Sequence, residues 1–168
     1  TLFLDEIGNL PLPLQAKLLT SLQNRTIVKL GSNVPVPIDI RLITATNMPL
    51  ERMVRQGSFR EDLFYRINVI QLEIPALRNR REDIPVMAEF FLRRFREQYN
   101  KAEIALSKEA SKKLREHSWP GNIRELENLI ARMVILRKGD TLSIRDLPDD
   151  FGYFDPRVNQ DKGGKAKK

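Results

Sequence analysis

The chain has 168 residues, 41% hydrophobic and 30% charged, the balance of a globular protein of one domain or two small ones. It contains no cysteine and a single histidine, His117, which excludes a disulfide scaffold and a thiolate metal site and speaks against a histidine metal centre or a Ser/His relay. The net charge of +7 is weighted to the end, where residues 155–168 hold five basic residues against two acidic ones in a Gly/Lys-rich stretch that reads as linker.

In chain order, residues 1–4 form a continuous apolar run, the pattern of a strand covered on both faces in a parallel sheet, and the run ends on adjacent carboxylates, Asp5 and Glu6. Gly8, Pro11 and Pro13 break it, and a helix is expected with Leu14, Leu18, Leu19 and Leu22 on one stripe and Asn24 near its end. Residues 26–30 and 38–46 read as strands around the turn GSNVP. Short helices follow over 49–55 and 59–67, the second opened by a capping box of Ser58 and Glu61, and then a strand over 69–74.

After Pro75 the pattern changes. Residues 81–99, 107–117 and 122–137 read as three amphipathic helices with no strand between them, a separate helical bundle whose stripe of Ile123, Leu126, Leu129, Ile130, Met133 and Val134 is core. The expected architecture is an α/β subdomain over residues 1–75, an all-α subdomain over 76–151 and a basic flexible tail over 152–168. No run of about 18 apolar residues and no signal peptide is found, so no membrane contact is expected, and the missing cysteines fit a reducing cytoplasm.

In open α/β sheets, ligands bind beyond the carboxyl ends of the strands, where Asp5 and Glu6 stand. An apolar strand closing on Asp-Glu is the Walker B arrangement of nucleotide hydrolases: one carboxylate holds Mg²⁺ through water and the next orients the attacking water. The competing explanation is that the two acids cap the turn at Gly8.

Four further segments stand downstream: RLITATN (41–47), GSFREDLFYRINV (57–69), ALRNRREDI (76–84) and WPGNIRELEN (119–128). Together with TLFLDEIGNLPLPLQAKLL, their order and spacing closely resemble the AAA+ ATPase domain of sigma-54-dependent transcriptional activators, the bacterial enhancer-binding proteins, over residues 1–151. The resemblance implies the second half of a P-loop NTPase sheet followed by a helical lid, with ATP and Mg²⁺ as cofactors. It implies that Asp5 and Glu6 are the Walker B acids and that Asn47, with Thr46 beside it, is the sensor I residue. It implies that Arg60 and Arg66 are the arginines offered to a neighbouring subunit's nucleotide, and that Arg124 is the sensor II arginine of the lid. A ring hexamer, RNA polymerase carrying sigma-54 as partner, and DNA contact through a separate domain are also implied.

Each residue has a plainer explanation as well. Asn47 ahead of Pro49 is an ordinary helix cap; Arg66 is placed for an i,i+4 pair with Asp62; Arg60 is placed to be solvated. Six positions on a helix would set Arg60 and Arg66 roughly 120° apart, so they need not share a target. Asn122 as N-cap, with Glu125 as a box-like partner, puts Arg124 in the first helical turn. There a cation opposes the helix dipole unless a phosphate meets it, and the alternative is an Arg124–Glu127 pair. Trp119 and Pro120 read as structural, and His117 as a partly exposed helix-end residue.

No G-x-x-x-x-G-K-[ST] phosphate loop, no GAFTGA segment and no helix-turn-helix occurs in these 168 residues. The expectation is a module cut at the Walker B strand that alone neither binds ATP tightly nor hydrolyses it, and whose exposed first strand promotes association. Two rival readings are a non-enzymatic DNA-binding helical module, with Arg124 and Arg132 on the groove, and another AAA+ branch. Glu125 and Glu127 count against the first, and WPGNIREL against the second.

Overall fold

The computed structural model describes residues 1–101, 104–137, 139–148 and 151; the tail expected over 152–168 lies outside the described residues. The chain divides into two compact units, Thr1–Glu73 and Ile74–Lys168. No helix among the described residues is long and apolar enough to cross a membrane.

In the first unit, β1 (Leu2–Leu4) pairs in parallel with β4 (Leu42–Thr44), with Leu2 opposite Leu42, Phe3 opposite Ile43 and Leu4 opposite Thr44. Between them run α1 (Leu12–Asn24) and an antiparallel hairpin of β2 (Thr26–Val28) and β3 (Pro35–Pro37). Pro11 and Pro13 fix the entry into α1, where a missing N–H costs nothing, and Arg25 ends it in the left-handed region at φ 51°. After β4 come α2 (Leu50–Arg55) and α3 (Glu61–Ile67), and α3 packs on α1 over a core of Ile7, Leu19, Met53, Phe59 and Leu63.

Several expectations are corrected here. Of the strand expected over 38–46 only Leu42–Thr44 forms, and the strand that pairs with β2 lies ahead of it, Pro35–Pro37, beginning within the expected turn. Leu18, Leu19 and Leu22 of the expected α1 stripe face the core, but its first position is taken by Gln15, fully buried, while Leu14 is 45% exposed. Ser58 does not cap α3: its hydroxyl donates to the Met53 carbonyl, and Arg60 is the N-cap with no side-chain cap bond. Residues 69–74 form no strand, since no neighbouring strand is there to complete a ladder, and Leu72 is 86% exposed. For the same reason β1, with one neighbour, is not covered on both faces, and Phe3 is 58% exposed.

The second unit is built on α4 (Asp83–Gln98), α5 (Lys108–Glu116) and α6 (Asn122–Leu136), with α4 packed on α6. It is not wholly helical. β5 (Ala105–Leu106) precedes α5 and makes a two-residue parallel ladder with β6 (Thr141–Leu142), because the chain returning from α6 runs beside it. Ser107 caps α5, its hydroxyl accepting the Ala110 N–H. The expected α6 stripe enters a core that also takes Leu77, Ile84, Phe91, Leu92, Phe95 and Trp119. Trp119 is fully buried at φ 49°, and its indole donates to the Leu114 carbonyl at 2.8 Å. His117 is buried, not partly exposed: its Nδ1 accepts the Trp119 N–H and its ring stacks on Phe151 at 4.5 Å.

Candidate functional site

Parallel pairing fixes where the first unit gathers its polar residues. Because β1 and β4 run the same way, Asp5 and Glu6 leave β1 at the end where Ala45, Thr46 and Asn47 leave β4. Backbone bonds continue past the ladder: the Ala45 N–H donates to the Leu4 carbonyl at 2.9 Å, and the Ile7 N–H to the Ala45 carbonyl at 3.0 Å. The turn after the carboxylates is thereby stapled to the end of β4.

Within that turn, one Asp5 carboxylate oxygen accepts the Glu6 N–H at 2.9 Å, and Glu6 sits in the left-handed region at φ 52°. A glutamate at positive φ is disfavoured, and here it lies in the candidate site. Gly8 explains how the turn fits: a Cβ there would lie 2.9 Å from the Thr46 hydroxyl and 3.2 Å from the Met48 side chain. The Thr46 hydroxyl accepts the Met48 N–H at 3.1 Å, which orients it. Asp5, Glu6, Thr46 and Asn47 are all exposed, and no ion pair engages either carboxylate among the described residues.

Two free carboxylates suit Mg²⁺, which takes one or two of them, keeps several waters and takes its other ligands from phosphate. They do not suit a cation caged by protein alone, and no group of three or more His, Cys, Asp or Glu able to hold a metal occurs among the described residues. The donor set therefore fits a Mg²⁺–nucleotide better than a bare ion.

Most of the plainer explanations are not realised. Asn47 caps nothing, since α2 has Pro49 as N-cap with no side-chain cap bond. Arg66 does not pair with Asp62; its guanidinium donates to the Leu22 carbonyl at 3.2 Å. Asp62 is taken instead by Arg60, through two bonds of 3.0 and 2.6 Å, while Arg60 stays exposed as its plainer explanation has it. That hydrogen-bonded pair raises the Arg60 pKa and lowers that of Asp62. The pair is solvent-exposed and so open to exchange with a competing anion. Because Arg60 precedes α3 as its N-cap, the 120° helical estimate does not apply to it.

Arg124, in the second unit, stands in the first turn of α6 and is exposed. The pair with Glu127 does not form, because Glu127 accepts from Arg94 at 3.0 Å. Gly121, not Asn122, is the N-cap; Glu125 accepts the Gly121 N–H at 2.8 Å, and Asn122 turns away to accept the Leu77 N–H at 2.8 Å. The Arg124 side chain is left with no hydrogen bond or ion pair among the described residues.

Two participants escaped sequence reasoning. Gly8 reads as a strand breaker, yet its role is the close approach to Thr46. Gln15, a polar residue, has no place in the expected apolar stripe, although its position three, four and seven residues ahead of Leu18, Leu19 and Leu22 was a readable sign of burial.

A family model described as the sigma-54 interaction domain matches residues 1–73, and one described as the AAA+ ATPase lid domain matches residues 78–163. Among curated relatives, the transcriptional regulatory protein ZraR of Salmonella typhimurium is 49% identical over 148 residues, 88% of this chain and 34% of that protein. The DNA-binding transcriptional activator HyfR of Escherichia coli is 51% identical over 144 residues, 86% of this chain and 22% of its own length. SfnR of Pseudomonas putida, a sigma54-dependent transcriptional activator, is 48% identical over 147 residues, 88% of this chain and 40% of its own. The crystal structure of NtrX from Brucella abortus in complex with ATP superposes with a TM-score of 0.83 at 38% identity, covering 90% of this chain and 35% of that one. The chain thus spans between 22% and 40% of the length of these proteins. With a sigma-54 interaction domain over its first unit and an AAA+ lid over its second, the chain belongs to the AAA+ family of sigma-54-dependent transcriptional activators.

Proposed function

We propose that this chain is part of an ATP-hydrolysing activator that remodels sigma-54 RNA polymerase, and that it supplies the water-activating and charge-stabilising side chains of the ATPase. The observation that carries the reading is the register of β1 with β4, which puts Asp5 and Glu6 beside Thr46 and Asn47 at the carboxyl ends of parallel strands. Mg-ATP, when bound, would supply the phosphoryl group that passes to water. Asp5 would hold the Mg²⁺, and Glu6 accepts a hydrogen bond from the attacking water and orients it. Asn47, its side chain uncommitted, donates an amide N–H toward that water, and Thr46 braces the turn.

Arg60 and Arg66 act on the nucleotide of a neighbouring subunit, where a planar cation offsets charge on the transferring group. Exchange of Arg60 from Asp62 to phosphate fits this role. Arg124 and the amino end of α6 present a cation and a positive dipole to the nucleotide phosphates. The subunits form a ring, a hexamer, in the cytoplasm; sigma-54 polymerase and DNA are met through other parts of the protein.

In the full-length protein, Glu6→Gln retains nucleotide binding and lowers ATP turnover at least about 100-fold, the scale of one positioned acid or base. Unchanged turnover removes Glu6 from the mechanism and with it the central step of this reading.

A further inference from the structure

We propose that Gln15 is a positioning residue that locks Arg60 to the turn carrying Asp5 and Glu6; the proposal rests on the reading of Arg60 as a charge-stabilising arginine. Gln15 is fully buried at the edge of an otherwise apolar core, an expensive place for a primary amide unless its hydrogen bonds are met. They are met by backbone from two stretches, the turn ending at Leu10 and the segment Ser58–Arg60. Its Nε2 donates to the Leu10 carbonyl at 2.7 Å and to the Ser58 carbonyl at 3.2 Å, and its Oε1 accepts the Arg60 N–H at 2.8 Å.

Each partner has a place in the site. Leu10 closes the short 3-10 turn, Ile7–Asn9, that begins directly after Glu6. Ser58 and Arg60 flank Phe59 immediately before α3, and the loop reaches them through Gly57 at φ 71°. No side chain caps α3, so the Arg60 amide is fixed by Gln15 while its carbonyl starts the helix by accepting the Phe64 N–H at 3.0 Å. One amide group therefore sets the backbone from which the Arg60 guanidinium reaches, and it does so relative to the same turn that presents the carboxylates. A long exposed side chain is delivered accurately only if its Cα is held, and Gln15 holds it.

Two substitutions separate this clamp from general packing. Gln15→Met keeps the volume and loses every bond, whereas Gln15→Glu keeps an acceptor for the Arg60 N–H. Amide hydrogen exchange should show Arg60 exchanging at least about tenfold faster in Gln15→Met, with Leu19 and Leu63 unchanged, and largely protected in Gln15→Glu. Unchanged Arg60 exchange in Gln15→Met, or equal loss in both variants, overturns the proposal. If Gln15→Met does not fold, retained Arg60 protection in Gln15→Glu supports the clamp and its loss overturns it.

The functional half is read from ATP turnover of the full-length protein in a double-mutant cycle. Gln15→Met should lower kcat with little change in KM, and should cause no further loss once Arg60→Ala is present. Losses that multiply in the double variant mean that Gln15 acts through general packing, and overturn its positioning role alone. If Arg60→Ala by itself leaves turnover unchanged, the reading of Arg60 falls first and the positioning role falls with it.

Discussion

The two units solve burial in opposite ways. The second, from Ile74 onward, closes around its own core: among its described residues fifteen buried hydrophobic side chains meet in one cluster, with Trp119 at 0% exposure among them. The first, Thr1–Glu73, has five, and leaves Phe3, Val69, Ile70 and Leu72 on its surface. Both sequences are comparably apolar, so composition does not make the difference. Topology does: a helix bundle completes its core from its own chain, whereas a two-stranded sheet has open edges and faces that only further strands or helices can cover.

The largest effect that can break this contrast lies in the second unit. Trp119→Ala removes the largest fully buried side chain and its bond to the Leu114 carbonyl, and should cost about 3–5 kcal/mol in denaturant unfolding. A protein of residues 74–168 alone should still unfold in one cooperative transition, and residues 1–73 alone should not. Cooperative melting of 1–73 would mean that its small core suffices and that the contrast is overstated.

In the first unit a loss of the next size should come from a polar residue. Gln15→Met orphans the Arg60 N–H and two carbonyls, and should cost about 1–3 kcal/mol by chemical denaturation. A cost under about 0.5 kcal/mol would mean that water replaces the amide and that the three segments are held by other contacts.

How much of this was legible from sequence follows the same division. Helical periodicity is local, so α4, α5 and α6 and the stripe from Ile123 to Val134 could be read within a residue or two at each end. Strands exist only with partners. Residues 69–74 carry a strand's composition but lack a ladder, and β5 and β6 are too short to leave a pattern. At the site, the family motifs named the charged residues, but side-chain pairing was beyond them. Asp62 chooses between Arg60 and Arg66, Glu127 between Arg124 and Arg94, and Asn122 between its own helix and Leu77 by geometry that spacing does not encode.

A smaller effect in the second unit is read by pH. Burial in the second unit disfavours the Asp146 carboxylate, but the Ser143 N–H and hydroxyl and the Arg137 guanidinium outweigh it and hold its pKa below the ordinary value. A depressed folded-state pKa contributes stability that is present above the unfolded value of about 3.9 and is lost as pH falls through the lower, folded one. Asp146→Asn should therefore be less stable than the parent near about pH 7, and the gap should narrow below about pH 4. A gap that stays constant across this range would assign the loss to packing.

The smallest effect on stability should be found where the first unit exposes most apolar surface. Leu72→Ser changes a side chain that is 86% exposed, outside any ladder, and should move the unfolding free energy by less than about 0.5 kcal/mol. Its consequence should be on association: with Val69, Ile70 and Ile74 also exposed, the stretch is an apolar run facing solvent, and the serine should weaken concentration-dependent self-association in sedimentation. A cost above about 1 kcal/mol would reveal packing by this segment beyond the five-residue core, and would bring the first unit closer to the second. No change in association would place the sticky surface elsewhere, with the open edge of β1 and the exposed Phe3 next to be substituted.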